Sequence, residues 1–302
     1  MKKKIMLLLA AAFILSSNYV YARQYHVLEN RDVKILFEAP LARAAKGVAD
    51  IYPQAKTALE STFGWDLNFR PSVLLITDRE HFKNMAVSPL IVAFAVPNRS
   101  LIVIDYTKMA RHPYSIENTL KHELCHLLLH YHIPGGALPR WLDEGVCQWV
   151  SDWIGDIIMD QKRSYLNKAA LKGSFISLRS LHNSFPSGKE HLLLAYEESK
   201  SFVAYILSEF GKEGILSVLD HMKKGENVED AFFNALATPL VDLEIQWRYS
   251  IRKKTTWFTL LSFYLYEILF GLMALLSIYA FIKIMLKKRA YMAEDPEDHL
   301  LS

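Results

Sequence analysis

Cysteine is scarce in this chain. Two thiols, Cys125 and Cys147, in 302 residues exclude a disulfide-rich scaffold, and they cannot make a four-cysteine zinc site. An excess of one charge sign is lacking too. The 35 lysines and arginines against 32 aspartates and glutamates leave a net charge of +3. With no basic stripe interleaved with aromatics, that balance argues for no nucleic acid partner. No repeat of fixed period and no low-complexity linker breaks the chain. What is plentiful is apolar. Hydrophobic residues make up 51% and charged ones 22%, which suits a globular protein with added membrane segments. The length allows one large or two modest domains.

Both ends carry membrane signals. The chain opens "MKKKIMLLLAAAFILSSNYVYARQ". Lys2, Lys3 and Lys4 form a basic region, and Ile5 to Leu15 an apolar core too short to span comfortably. Val20-Tyr21-Ala22 places small residues for cleavage after Ala22, so residues 1–22 read as a signal peptide, the alternative being an uncleaved anchor. Trp257 to Ile282 is long enough to cross a bilayer with some tilt. Lys287, Lys288 and Arg289 follow it, and Arg252, Lys253 and Lys254 precede it, so loop charge alone does not orient it. An export signal would. It places residues 23–250 in the periplasm or outside the cell, with one transmembrane helix at 257–282 and a cytoplasmic tail at 283–302. The expected location is the cell membrane, single-pass. Glu267 inside the span is costly unless it is protonated, lies near the interface or meets a transmembrane partner.

The exported part reads as α+β. "RDVKILFEAP" alternates like a strand, and "LARAAKGVADIYPQAKTALESTFG" has helical spacing that stops at Gly64. "PSVLLITD" is a short β-rich run. "LIVAFAVPNRSLIVID" predicts a hairpin turning at Pro97 to Ser100. From Ser115 to about Arg252 the signals are helical. Residues 23–250 are therefore treated as one unit, a small mixed sheet in front and a helical second half.

The chemistry concentrates in "SIENTLKHELCHLLLHYHIPGG". Ser115 is a fair N-cap, Glu117 suits the positive end of the helix dipole, and Pro134-Gly135-Gly136 ends the element. Leu120, Leu124, Leu127, Leu128 and Tyr131 share a face expected to pack into a core. His122, His126 and His130 share another. His122-Glu123-Leu124-Cys125-His126 fits H-E-x-x-H. Histidines at i and i+4 project in parallel, so both can reach one zinc ion at about 2.0–2.1 Å. Glu123 is turned about 100° around the helix. There it suits a general base that holds the attacking water. A pentapeptide alone is not decisive, and a third ligand is needed. "PRWLDEGVCQWV" supplies Glu144 after a Gly-Gly turn and Pro139, on a second helix that can fold back. Two histidines and a glutamate with an open fourth position are a catalytic set, not a closed structural one.

H-E-L-x-H followed by W-L-x-E-G resembles the gluzincin metallopeptidases, including the M1 aminopeptidases and the smaller peptidase MA-like domains. The resemblance covers roughly residues 70–212. It implies a zincin-like metallopeptidase fold, one Zn2+ ion held by His122, His126 and Glu144, and Glu123 as base. Trp141, Leu142 and Gly145 match the surroundings of the third ligand. "AYEESKSFVAYILSEFG" is similar to the family's tyrosine helix, which gives Tyr196 the task of stabilising the oxyanion. The alternative for Tyr196 is a tyrosine capping a core helix. The glycine-rich motif that binds a substrate's free amine in the M1 enzymes is not evident upstream. "LIVAFAVPNRSLIVID" stands where an edge strand would take an extended peptide. The expectation is therefore an endopeptidase-like enzyme acting on a peptide or protein.

Other residues have blander readings. His130 and His132 read as polar residues near a helix end, and Cys125 as packing. A Cys125–Cys147 disulfide stays open in an oxidising compartment. Asp143 and Gln148 are candidates to orient a ligand. Lys162 and Arg163 read as a solvated face. The rival functional class is a non-catalytic zinc-containing module that binds a partner through the same groove or through Glu267. An intramembrane protease is excluded, because Glu117, Asn118 and Lys121 crowd the motif helix and Arg140, Asp143 and Glu144 follow it.

Overall fold

The computed structural model describes residues 24–86, 88–109, 114–133, 135–151, 164–255 and 264–294. The signal segment 1–22 lies outside the described residues, as do Pro134, Lys162, Arg163, the first residues of the expected span and the end of the tail. The described chain divides into two compact units, Met1–Tyr131 and His132–Ser302.

The first unit is built on a five-stranded mixed sheet. Its strands are β1 (His26–Glu29), β2 (Lys34–Phe37), β3 (Ser72–Ile76), β4 (Ala93–Val96) and β5 (Leu101–Asp105), in the spatial order β1-β2-β3-β5-β4. β2, β3 and β5 run parallel, and the outer strands β1 and β4 pair antiparallel to their neighbours. The parallel centre is dense in β-branched and leucine side chains. Val73, Leu75, Ile76, Ile102 and Ile104 are fully buried, as central strands covered on both faces require. The predicted hairpin is present. β4 and β5 pair in register from Ala93↔Ile104 to Val96↔Leu101, with Ser100 in the left-handed region at φ 46°. β4 is thus an edge strand, in keeping with its expected place.

Helix α1 (Ala42–Phe63) buries Ala45, Val48, Tyr52 and Leu59, the stripe that helical spacing dictates. It stops at Gly64, whose φ of 67° lets its N–H reach back to the Glu60 carbonyl at 2.8 Å. Two short helices, α2 (Arg79–Met85) and α3 (Tyr106–Met109), follow β3 and β5. Asp78 caps α2, accepting N–H bonds from Glu80 and His81. Helix α4 (Ile116–His132) closes the unit.

The second unit is helical. It comprises α5 (Arg140–Ser151), α6 (Tyr165–Lys172), α7 (Lys189–Lys223), α8 (Val228–Leu236), α9 (Leu240–Lys254) and α10 (Leu265–Glu294). α7 is two helices joined at Gly211, whose φ of 69° and ψ of −177° are not helical. The core of this unit is aromatic. Trp141 meets Phe202 edge-on at 5.2 Å, and Phe202 meets Trp247 edge-on at 5.7 Å, the arrangement that ring quadrupoles favour. Gly145 sets how closely α5 and α7 approach. A Cβ there would lie 2.5 Å from the Ser199 carbonyl oxygen and 2.6 Å from Val203 Cγ2. α10 is different in kind. Over Leu265–Tyr291 it is long and apolar enough to cross a membrane, and it is buried nowhere. Glu267 falls in its first described turn.

Candidate metal centre and its surroundings

The motif helix starts as predicted. The Ser115 carbonyl accepts from Thr119 N–H at 3.0 Å, and its hydroxyl accepts from Asn118 N–H at 3.4 Å. Leu120, Leu124, Leu127 and Leu128 are buried. Tyr131, expected on the same packed face, is instead 50% exposed and lies against Phe69, ring centroids 5.0 Å apart. It sits in the last turn, where a phenol can pack its ring and keep its hydroxyl near water. His130 and His132 lie near it, partly exposed. Cys125 and Cys147 are free thiols, each fully buried.

His122, Glu123 and His126 are all buried. Burying three such side chains on one helix is costly unless each is satisfied. The two rings stand edge to face, with Nε2 of His122 3.2 Å from Nε2 of His126. Two nitrogens about 2.0–2.1 Å from a common ion in tetrahedral geometry stand about 3.3–3.4 Å apart. The observed separation is close to that spacing. Both donors are imidazoles, the ligand type zinc accepts readily.

The second unit places Glu144 and Tyr196. The start of α5 is tied down by the later segment between α6 and α7. Arg140 N–H donates to the His182 carbonyl at 2.7 Å and Trp141 N–H to the Leu181 carbonyl at 3.2 Å. Those bonds satisfy donors that a helix start leaves over. Glu144 is buried, and its Oε1 receives Arg140 Nη2 at 2.5 Å. Asp143, also buried, has its Oδ2 3.7 Å from Arg140 Nη1. Glu144 beside it is the main reason the Arg140 pKa is raised further, with the Tyr196 side chain a lesser cause. Gln148 Nε2 donates to the Tyr196 carbonyl at 3.4 Å. Phe185 lies under the guanidinium at 5.8 Å and edge-on to the Tyr196 ring at 5.0 Å.

The two residues after Tyr196 are buried carboxylates. Glu197 accepts from Ser164 Oγ at 2.9 Å, Tyr165 N–H at 3.1 Å and Leu166 N–H at 2.8 Å, so it caps α6 from the side. Glu198 accepts from Ile176 N–H at 3.1 Å. Burial pushes the Glu198 carboxyl up to about 8, against the opposing pull of that bond and of Arg248.

The sequence-predicted residues thus fall into two groups. His122, Glu123 and His126 share α4. Glu144 and Tyr196 are linked within the second unit through Arg140. Of the candidates to orient a ligand, Asp143 faces Arg140, and Gln148 holds the backbone at Tyr196. Arg140 was not singled out from sequence. The available signal was an arginine four residues before Glu144 on a predicted helix.

Residues 91–253 match the family model described as the Peptidase MA superfamily. A comparison with curated proteins finds no match. Among solved structures, an aminopeptidase A of Legionella pneumophila in complex with aspartic acid is 14% identical, at a TM-score of 0.45, over 74% of this chain and 28% of that one. An M1 zinc metallopeptidase of Deinococcus radiodurans is 14% identical, at a TM-score of 0.47, over 77% of this chain and 52% of that one. The chain thus spans about half of one and under a third of the other.

Proposed function

The chain belongs to the Peptidase MA superfamily, and from that premise we propose that it is a membrane-anchored, zinc-dependent peptidase. The observation that carries this reading is the pair of buried imidazoles, Nε2 to Nε2 3.2 Å, flanking Glu123 on one helix. His122, His126 and Glu144 would hold one zinc ion. Zinc in such a set polarises a carbonyl and lowers the pKa of water toward about 7.

The chain's own residues do the rest. Glu123 is the general base. It orients the attacking water, takes its proton and passes it to the departing amine nitrogen. Tyr196 donates a hydrogen bond from its hydroxyl to the oxygen that gains negative charge. A guanidinium has no acceptor, so the Arg140 side chain that interacts with Tyr196 does not compete for the phenol's hydrogen. Among the described residues β4 has one open edge in the sheet, which suits an extended peptide added as a further strand. Such binding needs no free terminus and supports an endopeptidase. The apolar helix over Leu265–Tyr291 supports a membrane anchor. The basic and apolar N-terminal segment supports an exported catalytic part, in the periplasm or outside the cell.

The test uses the full chain in detergent, wild type and Glu123→Gln, with zinc content measured beside digestion of a library of end-blocked peptides. The expected result is one zinc in each and internal cleavage by the wild type alone, abolished by a chelator. Equal cleavage by both proteins would sink the mechanism. Zinc bound with no peptide cleaved would favour a non-catalytic binding module.

A further inference from the structure

We propose that Arg140 is a positioning residue that holds the Glu144 carboxylate and the Tyr196 phenol in register with one guanidinium. The inference rests on the ligand and oxyanion roles proposed above for those two residues.

The geometry is specific. One Nη bonds Glu144 Oε1 at 2.5 Å, the other faces Asp143 Oδ2 at 3.7 Å, and Phe185 under the guanidinium meets the Tyr196 ring edge-on, with Tyr196 a lesser electrostatic partner of the same cation. Arg140 thereby bridges α5, which carries Glu144, and α7, which carries Tyr196. Its own position is constrained from three directions. Its backbone N–H is bonded to the His182 carbonyl, its guanidinium stacks over Phe185, and Phe185 in turn abuts the Tyr196 ring. The side chain is still 43% exposed, so this cation is not core packing. It stands at the rim of the second unit with its polar edge turned to the two functional groups.

What this does chemically follows from the donor set. A bond to one carboxylate oxygen fixes the plane of the Glu144 side chain, as outer partners of metal ligands do. A guanidinium beside the phenol has no acceptor, so it turns the Tyr196 hydrogen away from itself. A planar fork can do both at once. A lysine, with a compact charge on a flexible stem, cannot span both with fixed geometry.

The test compares full-length wild type, Arg140→Lys, Arg140→Met, Tyr196→Phe and Arg140→Met/Tyr196→Phe in detergent. Zinc affinity is read by competition with a chromophoric chelator, and kcat and KM on a peptide the wild type cleaves. Arg140→Met is expected to weaken zinc binding about 10- to 100-fold, and to lower kcat more than it raises KM. Arg140→Lys is expected to recover only part of both. The kcat losses of Arg140→Met and Tyr196→Phe are expected to be far from multiplicative, because the phenol is already misdirected without Arg140. If Arg140→Met does not fold, the same cycle run with Arg140→Lys decides. Zinc affinity equal to wild type, together with independent kcat losses, would overturn the proposal. A wild type that binds no zinc would overturn the metal reading itself. A wild type that binds zinc without cleaving peptides leaves the affinity comparison to decide the Arg140 role on Glu144.

Discussion

The two groups of candidate site residues are held by different physics. His122 and His126 lie four residues apart on α4, and one turn of helix brings their Nε2 atoms to 3.2 Å. Glu144 and Tyr196 lie on separate helices, α5 and α7. Only tertiary packing brings them into relation, through Arg140, Phe185, Gln148 and the contact made possible by Gly145. The first group depends on local geometry that survives as long as the helix does. The second depends on a closely packed pair of helices, so it is the more fragile. Substitutions can therefore separate the chemistry of α4 from the scaffolding of α5 and α7.

The largest effect is expected from the chemical group itself. Glu123→Gln should keep zinc and fold while lowering kcat about 10²–10⁴-fold, the usual share of a general base, measured on any peptide the wild type cleaves. Tyr196→Phe should lower kcat about 10²–10³-fold with zinc affinity less affected, as loss of one oxyanion donor does. An unchanged kcat would return Tyr196 to the role of a packing residue.

Scaffold changes should act through stability first. Gly145→Ala introduces a Cβ that would lie 2.5 Å from a backbone oxygen of α7, so the helices must separate. A cost of about 1–3 kcal/mol is expected, read as a lowered melting temperature. Zinc affinity should fall with it, because Glu144 precedes this glycine. A fully stable Gly145→Ala protein would show that α5 and α7 adapt more freely than the packing indicates.

A further effect concerns pH, and it bears on stability and not on the chemistry. Glu198 is buried, its Oε2 has no hydrogen-bond partner among the described residues, and Arg248, Glu244 and Glu197 are the charged groups around it. Its pKa is raised from 4.5 to about 8. The folded state therefore holds its proton over a range in which the unfolded chain has released it. This contribution is fully present below about pH 4.5 and is lost as pH rises toward about 8. Glu198→Gln, which cannot ionise, should flatten that loss. It should match the wild type near pH 4 and exceed it above pH 8. Parallel stability curves for the two proteins would contradict the assignment.

Much of the first unit was legible in the sequence because its signals are local. The Ser115 cap, the stop at Gly64, the β4–β5 hairpin and the i, i+4 histidines each follow from a few neighbouring residues. β1 was missed because most of His26–Glu29 is exposed, so no apolar alternation marks it, and only pairing with β2 makes it a strand. α2 was missed because seven residues carry too little periodicity, although Asp78 was a usable cap signal. Tyr131 was placed on the buried face because spacing gives direction but not depth at a helix end. In the second unit the sequence offered Glu144 through its spacing after the motif helix, and Tyr196 through a motif resemblance. It could not show Arg140 spanning them, because that contact joins distant segments. Nor could it show why Gly145 must be small, because the atom it would strike belongs to Ser199.

The central claim is that the α4 histidines and Glu144 bind one ion. It is tested most directly by calorimetric zinc titration of the chelator-stripped full chain, with His126→Ala and Glu144→Gln alongside. The expected result is one tight ion for the wild type and at least about 10-fold weaker binding in each variant. One ion bound with wild-type affinity by both variants would contradict it.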